Sequence, residues 1–265
     1  MTYLRPRSAQ PAPKPATLGA AQGFIARTYA TAVGAEPVPP RAAEGRILSD
    51  DIVATADLPR FDAAAMDGYA VRASDLAPAA GTRLRVVDRS AAGHPAAASL
   101  GKGEAARIFT GATVPAGADL VLMQEDCRRD GDFVTIPAER GPRRNIRRKG
   151  EDVVAGTTIL RRGERLTGAR LALASAQHLA VLPVYRRVRV ALFSSGDELR
   201  AAGETIGAGQ IGDANRPMLR SLLASMGCEV VDRGILRDDP EQQIAALMAA
   251  AMDCDLIVTS GGASV

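Results

Sequence analysis

Two short segments rich in Ser, Gly and Asp carry the most legible chemistry: Ser194-Ser195-Gly196-Asp197-Glu198 and Ser260-Gly261-Gly262-Ala263-Ser264, with Arg237-Asp238-Asp239 between them. Hydroxyls and glycine-rich backbone suit a phosphate, whereas carboxylates repel one unless a divalent cation such as Mg²⁺ bridges them. The mixture fits a phosphorylated ligand held with a hard, oxygen-bound cation. The same residue types also dominate ordinary turns and helix caps for backbone reasons, so the residues alone leave both readings open. Upstream, Phe61-Asp62-Ala63-Ala64-Ala65-Met66-Asp67-Gly68-Tyr69-Ala70-Val71, the stretch from Arg107 through Thr110-Gly111 to Asp119, and Gly150-Glu151-Asp152 combine acids, hydroxyls and glycines. Taken singly, each reads as a turn or loop.

The remaining composition narrows the chemistry. Cys127, Cys228 and Cys254 are odd in number and widely spaced, without a C-x-x-C pair, and His94 and His178 are the only histidines. A disulfide framework, a structural zinc site and a Ser-His-Asp triad therefore have little to work with, and a reducing cytoplasmic setting fits best. The net charge of +3 and pI near 9.0 come from arginine, densest at Arg140, Arg143, Arg144, Arg147, Arg148 and Lys149. With 3% aromatic residues and no Trp, and with the cluster running into Glu151-Asp152, it is poor equipment for stacking bases, so no nucleic-acid partner is expected. No apolar run is long enough to cross a bilayer. Residues 1–17 lack a signal-peptide pattern and read as a disordered tail.

These residues need elements to hold them. Leu18 to Val33 has a helical pattern, and Arg41 to Leu48, after a Pro-rich break, fits a helical turn. Short β-type runs follow at Leu84–Val87, Ala106–Phe109, Asp119–Met123 and Phe133–Ile136. Thr167 stands as an N-cap before a helix ending near His178. Then come a strand from Val188 to Phe193, a helix through Leu219, Leu222, Leu223 and Met226, and a strand from Glu229 to Leu236. A helix through Ile244, Leu247, Met248 and Met252, with Pro240 at its start, and the strand Leu256–Thr259 complete the series. This β-α-β-α-β order is the first half of a doubly wound parallel sheet. The expected class is thus α/β and β multidomain: a helical/linker domain (18–56 plus 153–187), a mostly β domain (57–152) and an incomplete α/β domain (188–265). Ligands of such sheets bind at the carboxyl ends of the strands, where the three Ser/Gly/Asp segments fall.

In order along the chain, these motifs resemble the molybdopterin molybdenumtransferases, the MoeA family that includes the gephyrin E domain. The matching text comprises Phe61-Asp62, Ala65 to Val71, Arg107 to Pro115, Val121 to Asp126, Asn145-Ile146-Arg147 and Gly150-Glu151-Asp152. It continues through Val188 to Leu199, Gly209-Gln210-Ile211, Asp213, Asn215-Arg216, Gly227 to Val230, Gly234-Ile235, Arg237 to Pro240 and the Ser260-Gly261-Gly262 loop. The resemblance implies an enzyme that takes molybdate and adenylylated molybdopterin, inserts molybdenum and releases AMP with the help of Mg²⁺. It implies Asp67, Asp152, Glu198 and Asp238 as catalytic acids and metal ligands, and Thr110 as a functional hydroxyl. Ser194, Ser195, Gly196, Asp197, Ser260, Gly261, Gly262 and Ser264 would bind the cofactor. It also implies a homodimer, with a site shared between the α/β domain of one subunit and the β domain of the other.

Two departures stand out: Gly212 where relatives often carry an aromatic residue, and His178 where they often have glycine. The family continues beyond the Ser260-Gly261-Gly262 loop into a C-terminal β domain, so the sequence reads as a truncated piece of such an enzyme. The alternatives are a short form that binds or scaffolds without turnover, and a molybdopterin adenylyltransferase. The motifs around Asp67 and Thr110 speak against the second.

Overall fold

The computed structural model describes residues 17–28, 33–77, 80–138 and 144–261. The chain divides into two compact units: Pro39–Glu44 with Asp50–Leu182, and Met1–Val38 with Gly45–Ser49 and Pro183–Val265. The expected helical/linker domain is therefore distributed between them. In the second unit, helix α1 (Leu18–Thr28) has no buried residue. The 29–32 part of the expected helix, and residues 1–16 of the expected tail, lie outside the described residues.

The first unit is built on six strands: β1 (Gly68–Val71), β2 (Thr82–Ser90), β3 (Glu104–Ile108), β4 (Leu120–Met123), β5 (Arg128–Asp130) and β6 (Phe133–Ile136). They pair in the order β4-β1-β3-β2-β6-β5, antiparallel except for the parallel pair β2 and β3. Successive side chains of a strand point to opposite faces, and here both faces are covered. Tyr69 and Val71 pack with Leu84, Leu122 and Ile136, whereas Ala70 packs with Ala64, Ile108 and Val121. That two-sided burial is why β1 reads Gly-Tyr-Ala-Val, with no polar alternation. Helix α2 (Gly168–Ala176) follows Thr167, which occupies the N-cap without a side-chain capping bond. The buried Gln177 at the end of α2 accepts from the N–H groups of Thr55 (2.9 Å) and Ala56 (3.0 Å) and donates to the Ala56 carbonyl. His178 then turns the chain at φ +60.

The second unit carries the parallel sheet. Strands β7 (Arg189–Ser195), β8 (Glu229–Leu236) and β9 (Leu256–Ser260) pair in the order β8-β7-β9, all parallel. Helices α3 (Asn215–Ser225) and α4 (Pro240–Asp253) are the two crossovers. Ala191 and Phe193 of β7 bury against Ala250 and Leu247 of α4. The apolar helical stripes are wider than three strands cover. Leu219 and Leu223 are half-buried while Leu222 and Met226 are exposed, and Ile244, Met248 and Met252 of α4 are exposed too.

Candidate functional site

At the carboxyl edge of the parallel sheet, two loops are locked together by glycine. Gly261 has φ +108, and a Cβ there would lie 2.8 Å from the Ser195 carbonyl oxygen, so no other residue fits this close approach. Gly196 likewise has φ +148, and its N–H donates to the Leu236 carbonyl at 3.1 Å, drawing the loop after β7 onto the end of β8. Adjacent serines diverge to opposite faces of β7. The fully buried Ser194 hydroxyl donates to Asp213 Oδ1 (2.9 Å) and accepts from Ser260 Oγ (3.2 Å). Ser195 Oγ accepts from Gln243 of α4 (3.3 Å).

Asp197 and Asp238 cross-brace the loops: each side chain accepts from the other's N–H, at 3.4 and 3.3 Å. The Asp197 carbonyl also accepts from Arg200 (3.0 Å) and Arg237 (3.1 Å). Asp239 behaves differently from its neighbour. It caps α4, accepting from the N–H groups of Glu241 (3.0 Å) and Gln242 (3.2 Å). The bland cap reading thus holds for Asp239, while Asp238 faces the loops. The Glu198 carboxylate folds back over Gly196. Gly262 and Ser264 of the expected glycine loop lie outside the described residues.

Asp213 and Arg216 are missing from the residues singled out for the site, although both stand in the resembling motif text. Burial alone would raise the Asp213 pKa, but the side chain and N–H of Arg216 and the Ser194 hydroxyl outweigh it and hold the carboxyl below its ordinary value. Arg216 continues to Asp232 at 2.6 Å. A hydrogen-bonded chain therefore runs Ser260–Ser194–Asp213–Arg216–Asp232.

In the β unit, Asp67 and Thr110 come together as a pair. Asp67 Oδ1 accepts both the N–H (2.8 Å) and the hydroxyl (2.7 Å) of Thr110. These two bonds, with the nearby Arg107 charge, keep the Asp67 pKa below its usual range. Gly68 is no turn residue. It lies buried in β1, and a Cβ there would stand 1.7 Å from the Leu122 carbonyl oxygen. The Asp67-Gly68 dipeptide thus reflects close strand packing beside a carboxylate bonded to Thr110. A cavity of about 390 Å³ adjoins the pair, lined by Pro59, Arg60, Phe61, Ala65, Thr110 and Arg147 among others.

The basic cluster is largely consumed inside the β unit. Arg144 pairs with Asp119, Arg147 with Asp152, Arg148 with Asp62 and Lys149 with Asp57; Arg140 and Arg143 lie outside the described residues. Among the described residues, Asp67, Glu198 and Asp238 have no Lys or Arg ion pair, whereas Asp152 has Arg147. No three His, Cys, Asp or Glu side chains gather in a metal-holding group among the described residues. Carboxylate oxygen is in general the donor that suits a hard divalent cation.

The fold and site define a class: a mixed β and α/β protein presenting Ser, Gly and acid loops at the carboxyl edge of a parallel sheet, with a separate carboxylate–hydroxyl pair. Residues 17–177 match the MoeA N-terminal region (domains I and II), and residues 191–265 match a probable molybdopterin-binding domain. The chain belongs to the MoeA family. It is 41% identical over 224 residues to the molybdopterin molybdenumtransferase of Haemophilus influenzae, covering 84% of this chain and 55% of the relative. It is 43% identical over 230 residues to molybdopterin molybdenumtransferase 2 of Mycobacterium tuberculosis, covering 86% and 57%. A crystal structure of the molybdopterin biosynthesis MoeA protein from Pyrococcus horikoshii OT3 superposes with a TM-score of 0.78 at 34% identity, covering 86% of this chain and 62% of that one. The chain thus spans little more than half the length of the curated relatives it matches.

Proposed function

We propose that this chain serves molybdenum insertion into adenylylated molybdopterin, using molybdate and releasing AMP, in cytoplasmic molybdenum cofactor biosynthesis. The observation that carries the reading is the convergence of three loops, at 196–198, 237–238 and 260–261, on the carboxyl edge of a parallel sheet whose sequence matches a molybdopterin-binding domain. Open carboxylates, hydroxyls and backbone N–H groups there suit an anionic, phosphorylated ligand. Ser195, Gly196, Asp197, Ser260 and Gly261 form the ligand-facing loops, and the resemblance adds Gly262 and Ser264 to the cofactor-binding residues. Ser194 acts from beneath, because its hydroxyl is buried on Asp213.

Among the described residues of the β unit, Asp67 has no Lys or Arg ion pair and Asp152 would have to give up Arg147; among those of the unit of the parallel sheet, Glu198 and Asp238 have none either. Mg²⁺ held by these acids would neutralise charge building on the phosphoryl oxygens. Asp67, already kept ionised by Thr110, is suited to orient a water that attacks phosphorus, breaking the phosphoanhydride and freeing AMP. The resemblance also implies that the chain works as a homodimer.

Molybdate-dependent release of AMP from adenylylated molybdopterin tests the reading. Asp67→Asn and Glu198→Gln are each expected to lower the rate about 100-fold or more. ATP-dependent formation of the adenylylated intermediate would point instead to an adenylyltransferase. Failure of the protein to bind either adenylylated molybdopterin or molybdate would sink both.

A further inference from the structure

Arg107 is half-buried on β3, opposite Tyr69 of β1 in register. Its Nη1 donates to the Gly68 carbonyl at 2.8 Å, and its Nη2 donates to the side-chain oxygen of Gln124. Gln124 in turn donates its own N–H to the Asp67 carbonyl at 3.0 Å. The guanidinium also lies within 4.6 Å of the Phe109 ring centroid and 5.3 Å of Tyr69. Phe109 is itself covered by Arg89 at 4.8 Å and immediately precedes Thr110. One planar group therefore touches the chain neighbour of each member of the Asp67–Thr110 pair, and the residue that closes the Asp67 backbone.

We infer that Arg107 is a positioning residue that holds the Asp67 carboxylate and Thr110 in register for ligand chemistry. The physical basis is the guanidinium's rigid fork, which serves two acceptors at fixed separation while its faces pack on aromatic rings. A lysine carries the same charge but cannot bridge both acceptors in one plane. Nothing else among the described contacts ties Gly68, Gln124 and Phe109 to one side chain. Arg107 touches no reacting atom in this arrangement; it acts through the pair, and its bearing on activity rests on the proposed function.

Amide hydrogen exchange of the whole chain, followed by NMR, tests the assignment without requiring turnover. The readout is Thr110, whose N–H is held by Asp67. The controls are Leu84 and Val134, register partners elsewhere in the same sheet. Asp67→Ala sets the scale for complete loss of the Thr110 bond. Arg107→Met keeps an apolar stem against the rings and removes both donors. It is expected to speed Thr110 exchange about 10-fold while Leu84 and Val134 change less than about twofold.

Thr110 protection unchanged in Arg107→Met, or lost equally at all three amides, would overturn the assignment, the latter by making Arg107 a general stabiliser. Should Arg107→Met fail to fold, Arg107→Lys is read the same way, with at least about a threefold selective loss expected. Failure of both variants to fold would also overturn it. Selective loss at Thr110 together with an Asp67→Asn variant of unaltered turnover would leave the positioning intact and retire the proposed function.

Discussion

At the scale of single residues, neighbouring side chains of one type do different work. Asp239 caps α4 through the N–H groups of Glu241 and Gln242, while Asp238 braces the Asp197 loop. Replacing Asp239 by Ala removes the cap and is expected to destabilise the protein by about 1 kcal/mol. Asp238→Ala should leave the urea midpoint nearly unchanged and weaken ligand binding, so paired urea melts and binding isotherms separate the two. Gly212 offers the converse experiment. It lies outside the positive-φ set, and a Cβ there meets nothing within 4 Å. Gly212→Tyr, which supplies the aromatic ring that the family resemblance leads one to expect there, is expected to fold with an unaltered melting temperature and, on the proposed function, to bind a flat pterin several-fold tighter by stacking, on the order of 1 kcal/mol. A lowered melting temperature or weaker binding in titration calorimetry would refute that expectation. Cys127 is a poor nucleophile: burial, reinforced by Asp126, pushes its pKa up to about 11.

At the scale of elements, glycine decides where strands and loops approach. The Gly68 contact leaves no space for a methyl group against the Leu122 carbonyl, because the neighbour is backbone and cannot swing aside. Gly68→Ala is expected to cost about 3 kcal/mol and to lower the thermal midpoint on the order of 10 °C. Differential scanning calorimetry checks this, and a shift of only a degree or two would mean that β4 yields readily. The strands themselves were largely legible. The β-type run at Phe133–Ile136 and the parallel-sheet strand at Glu229–Leu236 keep their expected limits; Val134 and Ile136 are buried, while Val230, Val231, Ile235 and Leu236 are half-buried. Helices α3 and α4 were legible as elements, yet the exposed half of each stripe was not. Periodicity reports which residues share a helical face, and only the packed neighbour reports how much of that face is covered.

At the scale of the whole molecule, many carboxylates are bonded in the folded state. Asp62 is held low chiefly by the Lys149 N–H with help from Arg148, and Asp67 by Thr110. Asp255 is held low by Arg186, and Asp213 by Arg216 despite its burial. Each folded pKa lies below the ordinary 3.8, so the stabilisation is fully present above that value and is lost as pH falls through the lowered values. Urea midpoints should therefore be level between about pH 5 and 7 and should drop below about pH 4. Stability that rose on acidification through that range would contradict the assigned pairs.

From the sequence alone followed the order of strands and helices, the parallel sheet and the placement of the Ser, Gly and acid segments at its carboxyl edge. These rest on local periodicity and on short motifs whose backbone demands are written in neighbouring residues. Other features required the fold. The sequence left Asp67-Gly68 as a turn or loop, assigned no cap role to Asp239 and said of the basic cluster only that it is poor equipment for nucleic acid. The structure makes Gly68 a close-packed strand residue, divides the two acids by orientation and pairs Arg147, Arg148 and Lys149 with Asp152, Asp62 and Asp57. The Ser194–Asp213 bond and the Arg107 contacts join residues distant in sequence or in different strands. Charge, close approach and hydrogen-bond partnership depend on which atoms meet in space, and for residues far apart in the chain only tertiary packing decides that.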